Sequence, residues 1–66
     1  MNNLGNYRRW HNLSRKALSE KIGIPARTIE KWEMEDHALE RASYISVVKL
    51  ARFFGIKPED LFGGDL

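Results

Sequence analysis

Apolar residues recur along this chain at helical spacing, and no segment alternates for long enough to specify a strand. Leu4, Tyr7 and Trp10 or His11 fall on one side of a first segment covering about residues 3–11. After "NLS", Ser14 is a favourable N-cap, since its hydroxyl can accept a backbone N–H left free by a first helical turn. Leu18 and Ile22 then stand i, i+4 along a second segment, 15–22. Gly23 suits the left-handed position that ends a helix, and Pro25 suits the start of the next, where its missing N–H leaves no bond unmade. "GIP" therefore reads as a stop and a restart, and so short a turn makes the two helices cross steeply.

In the third segment, 25–34, Ile29 and Trp32 share one side with Pro25, Arg27 and Lys31 lie nearly opposite, and Glu33 falls at the border. A polar tract, "EDHALERA", separates it from a fourth segment, 43–54. Ser43 is the expected cap there, and Tyr44, Val47, Leu50, Ala51 and Phe54 form the expected core stripe. "YISVV" alone has β-branched density, but its continuation fits a helix better. Gly55 ends this segment and Ile56 packs back. "KPEDLF" predicts a short fifth helix, 58–62, with Pro58 in its first turn and Glu59 and Asp60 at the favourable end of its dipole. The expected fold is all-α: one domain, 1–66, folded as a compact five-helix bundle.

Composition narrows the function classes. Sixty-six residues without cysteine exclude disulfides and thiolate metal sites and suit a reducing, cytoplasmic setting. His11 and His37 are isolated, so no metal is expected, and no cofactor either. So small a core leaves little room for a catalytic cleft, and no nucleophile–base pair or phosphate-cradling glycine loop is present; an enzyme is not expected. No apolar run is long enough to span a bilayer. A chain of this size is also expected to lack a domain for sensing a small-molecule ligand. The net charge is only +2, but residues 1–33 carry seven Lys/Arg against three Asp/Glu, whereas residues 34–66 carry four against six. A basic half beside an acidic half suggests a side that faces a polyanion, nucleic acid being the commonest.

Two short helices about a glycine turn, with an outward basic edge on the second, make a helix-turn-helix. The ordered set "LS", "A.L..K.G" and "TIEKWE" is more specific, and with it the chain resembles the Cro and phage-repressor type helix-turn-helix family of small bacterial and phage transcription regulators. "GIPARTIEKWE" is most similar to the branch whose recognition helix begins Ile-Pro and ends Trp-Glu; "VVKLARFFGIKPEDLF" resembles the family's last two helices. The resemblance covers about Leu4 to Phe62. It implies a lambda-repressor-like DNA-binding domain, with the helix-turn-helix in helices two and three and the third helix in the major groove of double-stranded DNA.

Carried over by position, the resemblance places Arg15 where it can touch phosphate, Ala26 and Arg27 at the first base-facing positions, Thr28 at a phosphate-contacting hydroxyl and Lys31 one turn later. Lys16 and Arg41 are further candidates for phosphate. The residues themselves point the same way for Arg27, whose planar fork matches guanine O6 and N7, and for Lys31, a flexible point charge, both opposite the apolar face; at the position the resemblance gives it, Ala26 suits a thymine methyl. The resemblance also implies an ion pair between Arg8 and Glu33, which would otherwise be a partly desolvated carboxylate.

The chain departs from the family after Glu33. "MEDHALERAS" is longer than the usual loop by about two residues, lacks its glycine and proline, and begins acidic; Glu35 and Asp36 would repel a phosphate backbone. Modest affinity is then expected from one copy, and a homodimer on two half-sites would compensate. Val48, Phe53, Phe62 and Leu66 either form its symmetric patch or complete the core. Trp10 is expected in the core. The expected function is sequence-specific DNA binding by a small regulator acting as a repressor. The alternative is a protein-interaction module on the same scaffold, antitoxin-like or accessory.

Overall fold

Local chemistry sets the helix ends. The computed structural model, which describes residues 2–63, has α1 (Leu4–Trp10), α2 (Arg15–Ile22), α3 (Ala26–Met34) and α4 (Tyr44–Phe54), with 3-10 turns at Leu39–Arg41 and Pro58–Leu61. Ser14 Oγ accepts the Ala17 N–H at 3.0 Å and Ser43 Oγ accepts the Ser46 N–H at 3.2 Å, so both serines cap the helices that follow them. Gly23 closes α2 at φ 72°, its N–H donating to the Ser19 carbonyl at 2.8 Å. Pro25 sits one residue before α3, and its carbonyl accepts from Thr28 and Ile29.

A Cβ on Gly23 would meet nothing within 4 Å, so replacing it costs only backbone strain. Gly23→Ala is expected to lose about 1 kcal/mol. In a domain of this size that lowers the thermal midpoint by roughly 4–8 °C, with native helix content retained by circular dichroism.

Each of the six elements sends one aliphatic side chain to the centre. Leu4, Leu18, Ile29, Leu39, Leu50 and Leu61 are all 0% exposed. Around them α2 packs on α3 and α4, α1 packs on α3, and the Pro58–Leu61 turn packs on α4. The two chain ends are tied together: Asn3 donates its backbone N–H to the Leu61 carbonyl at 2.8 Å and its side-chain amide to the Asp60 and Gly63 carbonyls, both at 3.0 Å. These bonds satisfy a residue that is otherwise nearly buried.

Three expectations are corrected. The fifth helix is a 3-10 turn of four residues, closed by i+3 bonds from Asp60 N–H to Lys57 and from Phe62 N–H to Glu59. Between Pro58 and Gly63 there are too few residues to build an α-type ladder. Tyr44, placed in the core stripe, is 76% exposed. It is the first residue of α4, and helical side chains lean toward the N-terminus, so its ring projects past the helix start. Trp10 is 61% exposed instead of core. At ~100° per residue it falls about 120° from Leu4, whereas His11 falls within about 20° of it. The His11 ring accordingly meets Phe54 at 5.0 Å, and Trp10 rests edge-on against Tyr7 at 5.3 Å.

The polar tract also hides a core element, since Ala38 and Leu39 are buried. Of the apolar residues set aside for a symmetric patch, Phe53 and Phe62 pack against the core, Val48 is half-buried, and Leu66 lies outside the described residues.

Candidate nucleic-acid interface

α3 is held by one edge and free along the other. Ile29 is fully buried and Trp32 nearly so, while Arg27 and Lys31 are exposed one turn apart on the opposite side. Neither cation enters an ion pair among the described residues. Ala26 and Thr28, at the start of the helix, are half-buried. Arg27 and Lys31 border a shallow groove of about 420 Å³ together with Glu30, Met34 and Glu35. The outward face is therefore mixed in charge, with two carboxylates beside its two cations. Lys16 is exposed on α2, and Arg41 is exposed at the end of the Leu39–Arg41 turn.

The angle of α3 is fixed by a buried charge cluster. Arg8 forks onto Glu33, Nε to Oε2 at 2.7 Å and Nη2 to Oε1 at 3.1 Å, and its Nη1 donates to the Leu13 carbonyl at 2.8 Å. The two side chains are only 11% and 4% exposed. One guanidinium thus joins α1, the loop after it and α3, with geometry a lysine cannot reproduce. No buried side-chain nitrogen or oxygen among the described residues lacks a partner.

Arg15 joins the same cluster. Its Nη2 lies 3.1 Å from Glu33 Oε1 and its Nη1 3.6 Å from Glu30 Oε2, so the side chain spans α2 and α3. A residue read from the sequence as a phosphate contact is here engaged with carboxylates, while still one-third exposed. The structure therefore brings Arg8, Arg15 and Glu33 together, sets Arg27 and Lys31 side by side, and leaves Lys16 and Arg41 on other elements. Sequence reasoning missed the pairing of Arg15 with Glu30. The available signal was that Glu30 and Glu33 are i, i+3 on one helix, so two guanidiniums can be shared between them.

Sequence reasoning also missed Asn2, whose side-chain amide donates to the Trp32 carbonyl at 2.7 Å and so occupies one of the free carbonyls at the end of α3. Among the described residues no group of three or more His, Asp or Glu is placed to hold a metal ion, and no helix is long and apolar enough to cross a membrane.

Comparison with known proteins points to the same elements. A helix-turn-helix family model matches residues 4–61, from the start of α1 through the last turn. The chain is 38% identical over 65 aligned residues to an uncharacterized HTH-type transcriptional regulator of Methanocaldococcus jannaschii, covering 92% of this chain and 88% of that protein. No solved structure gives a significant match. With two crossed helices about Gly23 and a family match over nearly its whole length, the chain belongs to the Cro and phage-repressor type helix-turn-helix family.

Proposed function

We propose that the chain, folded as a single unit in the cytoplasm, binds double-stranded DNA sequence-specifically as a small transcriptional regulator and acts as a repressor by occupying its operator. The observation that carries this reading is the outward edge of α3, where Arg27 and Lys31 stand exposed, in no ion pair among the described residues, opposite a buried Ile29–Trp32 edge. With α3 in the major groove, Arg27 forks onto guanine and Ala26 lies against a thymine methyl. Thr28, Lys31, Lys16 and Arg41 meet phosphate, which positions the helix without reading sequence. Arg15 reaches phosphate only by loosening its hold on Glu33 and Glu30. On the same reading two copies occupy half-sites about one helical turn apart.

The test is selection of duplexes from a random pool, followed by fluorescence anisotropy at two salt concentrations. The three cations Lys16, Lys31 and Arg41, each neutralising one phosphate, make affinity fall roughly fortyfold between ~50 and ~200 mM salt. A flat salt response with no selected sequence would refute the reading.

One observation favours the alternative, an interaction module on the same scaffold: Glu30 and Glu35 line the groove beside Arg27 and Lys31. The two readings separate on loop charge. If α3 faces DNA, Glu35→Gln with Asp36→Asn is expected to tighten binding about three- to tenfold on every duplex alike, and more at low salt. Unchanged DNA affinity in that variant counts against α3 facing DNA and for the interaction module.

A further inference from the structure

We propose that the seam between α2 and α4 is a docking surface for an acidic amphipathic helix of a partner protein. Lys49 and Arg52 form the wall shared by two adjoining grooves. One, of about 410 Å³, reaches Lys21 over Ile22 and Phe53. The other, of about 210 Å³, runs over Tyr44, Ile45 and Val48. No carboxylate lines either groove, and Lys21, Lys49 and Arg52 enter no ion pair among the described residues. The α3 groove, by contrast, contains two carboxylates. Of these three grooves, the two with an uncompensated positive lining thus lie away from the proposed DNA face, with which they share no residue.

The apolar half of the seam decides between kinds of occupant. Ile45 is 71% exposed, and the core stripe of α4 (Val47, Leu50, Ala51 and Phe54) is complete without it or Tyr44. A phosphate backbone would answer the three cations but would gain nothing from Tyr44, Ile45 and Val48, whereas a protein side chain buries them. A second copy docked symmetrically on this seam would set Lys49 and Arg52 near their own counterparts with no carboxylate between them. What complements the surface is a segment carrying both apolar anchors and acids.

Geometry specifies its shape. Ile45, Val48 with Lys49, and Arg52 are spaced i, i+3/i+4 and i+7, a stripe about 10 Å long on one side of α4. A helix laid alongside meets such a stripe with its own residues at the same spacing. Lys49 leans toward α2, its Nζ 3.4 Å from the Ile22 carbonyl, so its charge stands over the seam without a carboxylate partner among the described residues.

The probe is a phage-displayed library of random peptides about 16 residues long, room for four helical turns, panned against the intact chain. Recovered peptides are expected to carry Asp or Glu between aliphatic residues at helical spacing. Arg52→Glu, which breaks no ion pair among the described residues, is expected to weaken them at least about tenfold. Ile45→Ser is expected to weaken them without altering the salt dependence, and both variants are expected to keep native helix content by circular dichroism. Recovery of no peptide, of peptides without acidic enrichment, or of peptides indifferent to Arg52→Glu overturns the proposal. So does a lower salt slope for random duplex DNA in Arg52→Glu, which would assign the seam to phosphate. A wild-type dimer in sedimentation that Ile45→Asp dissociates would assign it to a second copy and overturn the proposal equally.

Discussion

Glu33→Ala is expected to remove most of the chain's folding free energy, about 3–5 kcal/mol. The substitution leaves the Arg8 guanidinium, 11% exposed, without the carboxylate that accepts two of its N–H groups, and deprives Arg15 of one as well. A domain below about 70 residues rarely holds more than ~3–5 kcal/mol in total, so the variant should be largely unfolded at room temperature. The loss comes from stranding a buried charge, not from the intrinsic strength of the pair. Replacing both partners, Arg8→Met with Glu33→Leu, is therefore expected to restore stability to within about 1–2 kcal/mol of the parent, or above it. Arg15 tolerates that change, because it is one-third exposed and keeps Glu30 within 3.6 Å. Urea titration of the parent, the single variant and the double variant measures both quantities. A Glu33→Ala chain that unfolds at the parent's midpoint would show that the cluster does not hold α3.

How much of this was legible in the sequence depends on how local each feature is. Ser14, Gly23, Ser43 and Gly55 mark helix ends because capping and left-handed closure involve residues within one turn, and the helices begin and end beside them. Faces are less local. Periodicity gave Leu4, Ile29 and Leu50 correctly, but it cannot say where the neighbouring elements stop, and Tyr44 and Trp10 extend beyond them. Leu39 goes unread for the opposite reason: a single large apolar residue inside "EDHALERA", flanked only by Ala38 and Ala42, is too little to mark an element, yet the turn that carries it closes the core.

Least legible were the long-range polar contacts. Asn3 reaches carbonyls 57 and 60 positions away, and no local rule links them. The sequence supplied a cation at the start of α2, but the crossing of α2 over α3 brings Glu30 and Glu33 to it. Arg8 and Glu33 were joined in advance only through the family resemblance. Twenty-five positions of chain separate them, and only the fold sets one against the other.

Arg27→Ala is expected to cost about 1–3 kcal/mol on the preferred operator, roughly 5- to 150-fold in Kd, and to flatten the preference at a single base pair. The magnitude follows from what a guanidinium can do in the major groove: two parallel N–H donors fit O6 and N7 of guanine and fit no other base as well. Ala26 beside it has no polar group to substitute, and Lys31, one turn later, presents a single charge without a fork. Lys31→Ala should therefore weaken all duplexes alike and reduce the salt slope by about 0.9, the signature of one phosphate. The comparison also exposes the competing role of Glu30, which shares a groove with Arg27 and lies 3.6 Å from Arg15. If Glu30 restrains these cations in the free chain, Glu30→Gln should strengthen binding without changing which base is preferred. Titrating each variant against the selected duplex, against every single-base change in it and against random DNA separates these effects. Should Arg27→Ala weaken all of them equally, Arg27 touches only the backbone, and the reading of α3 as the sequence-selective helix fails at its central residue.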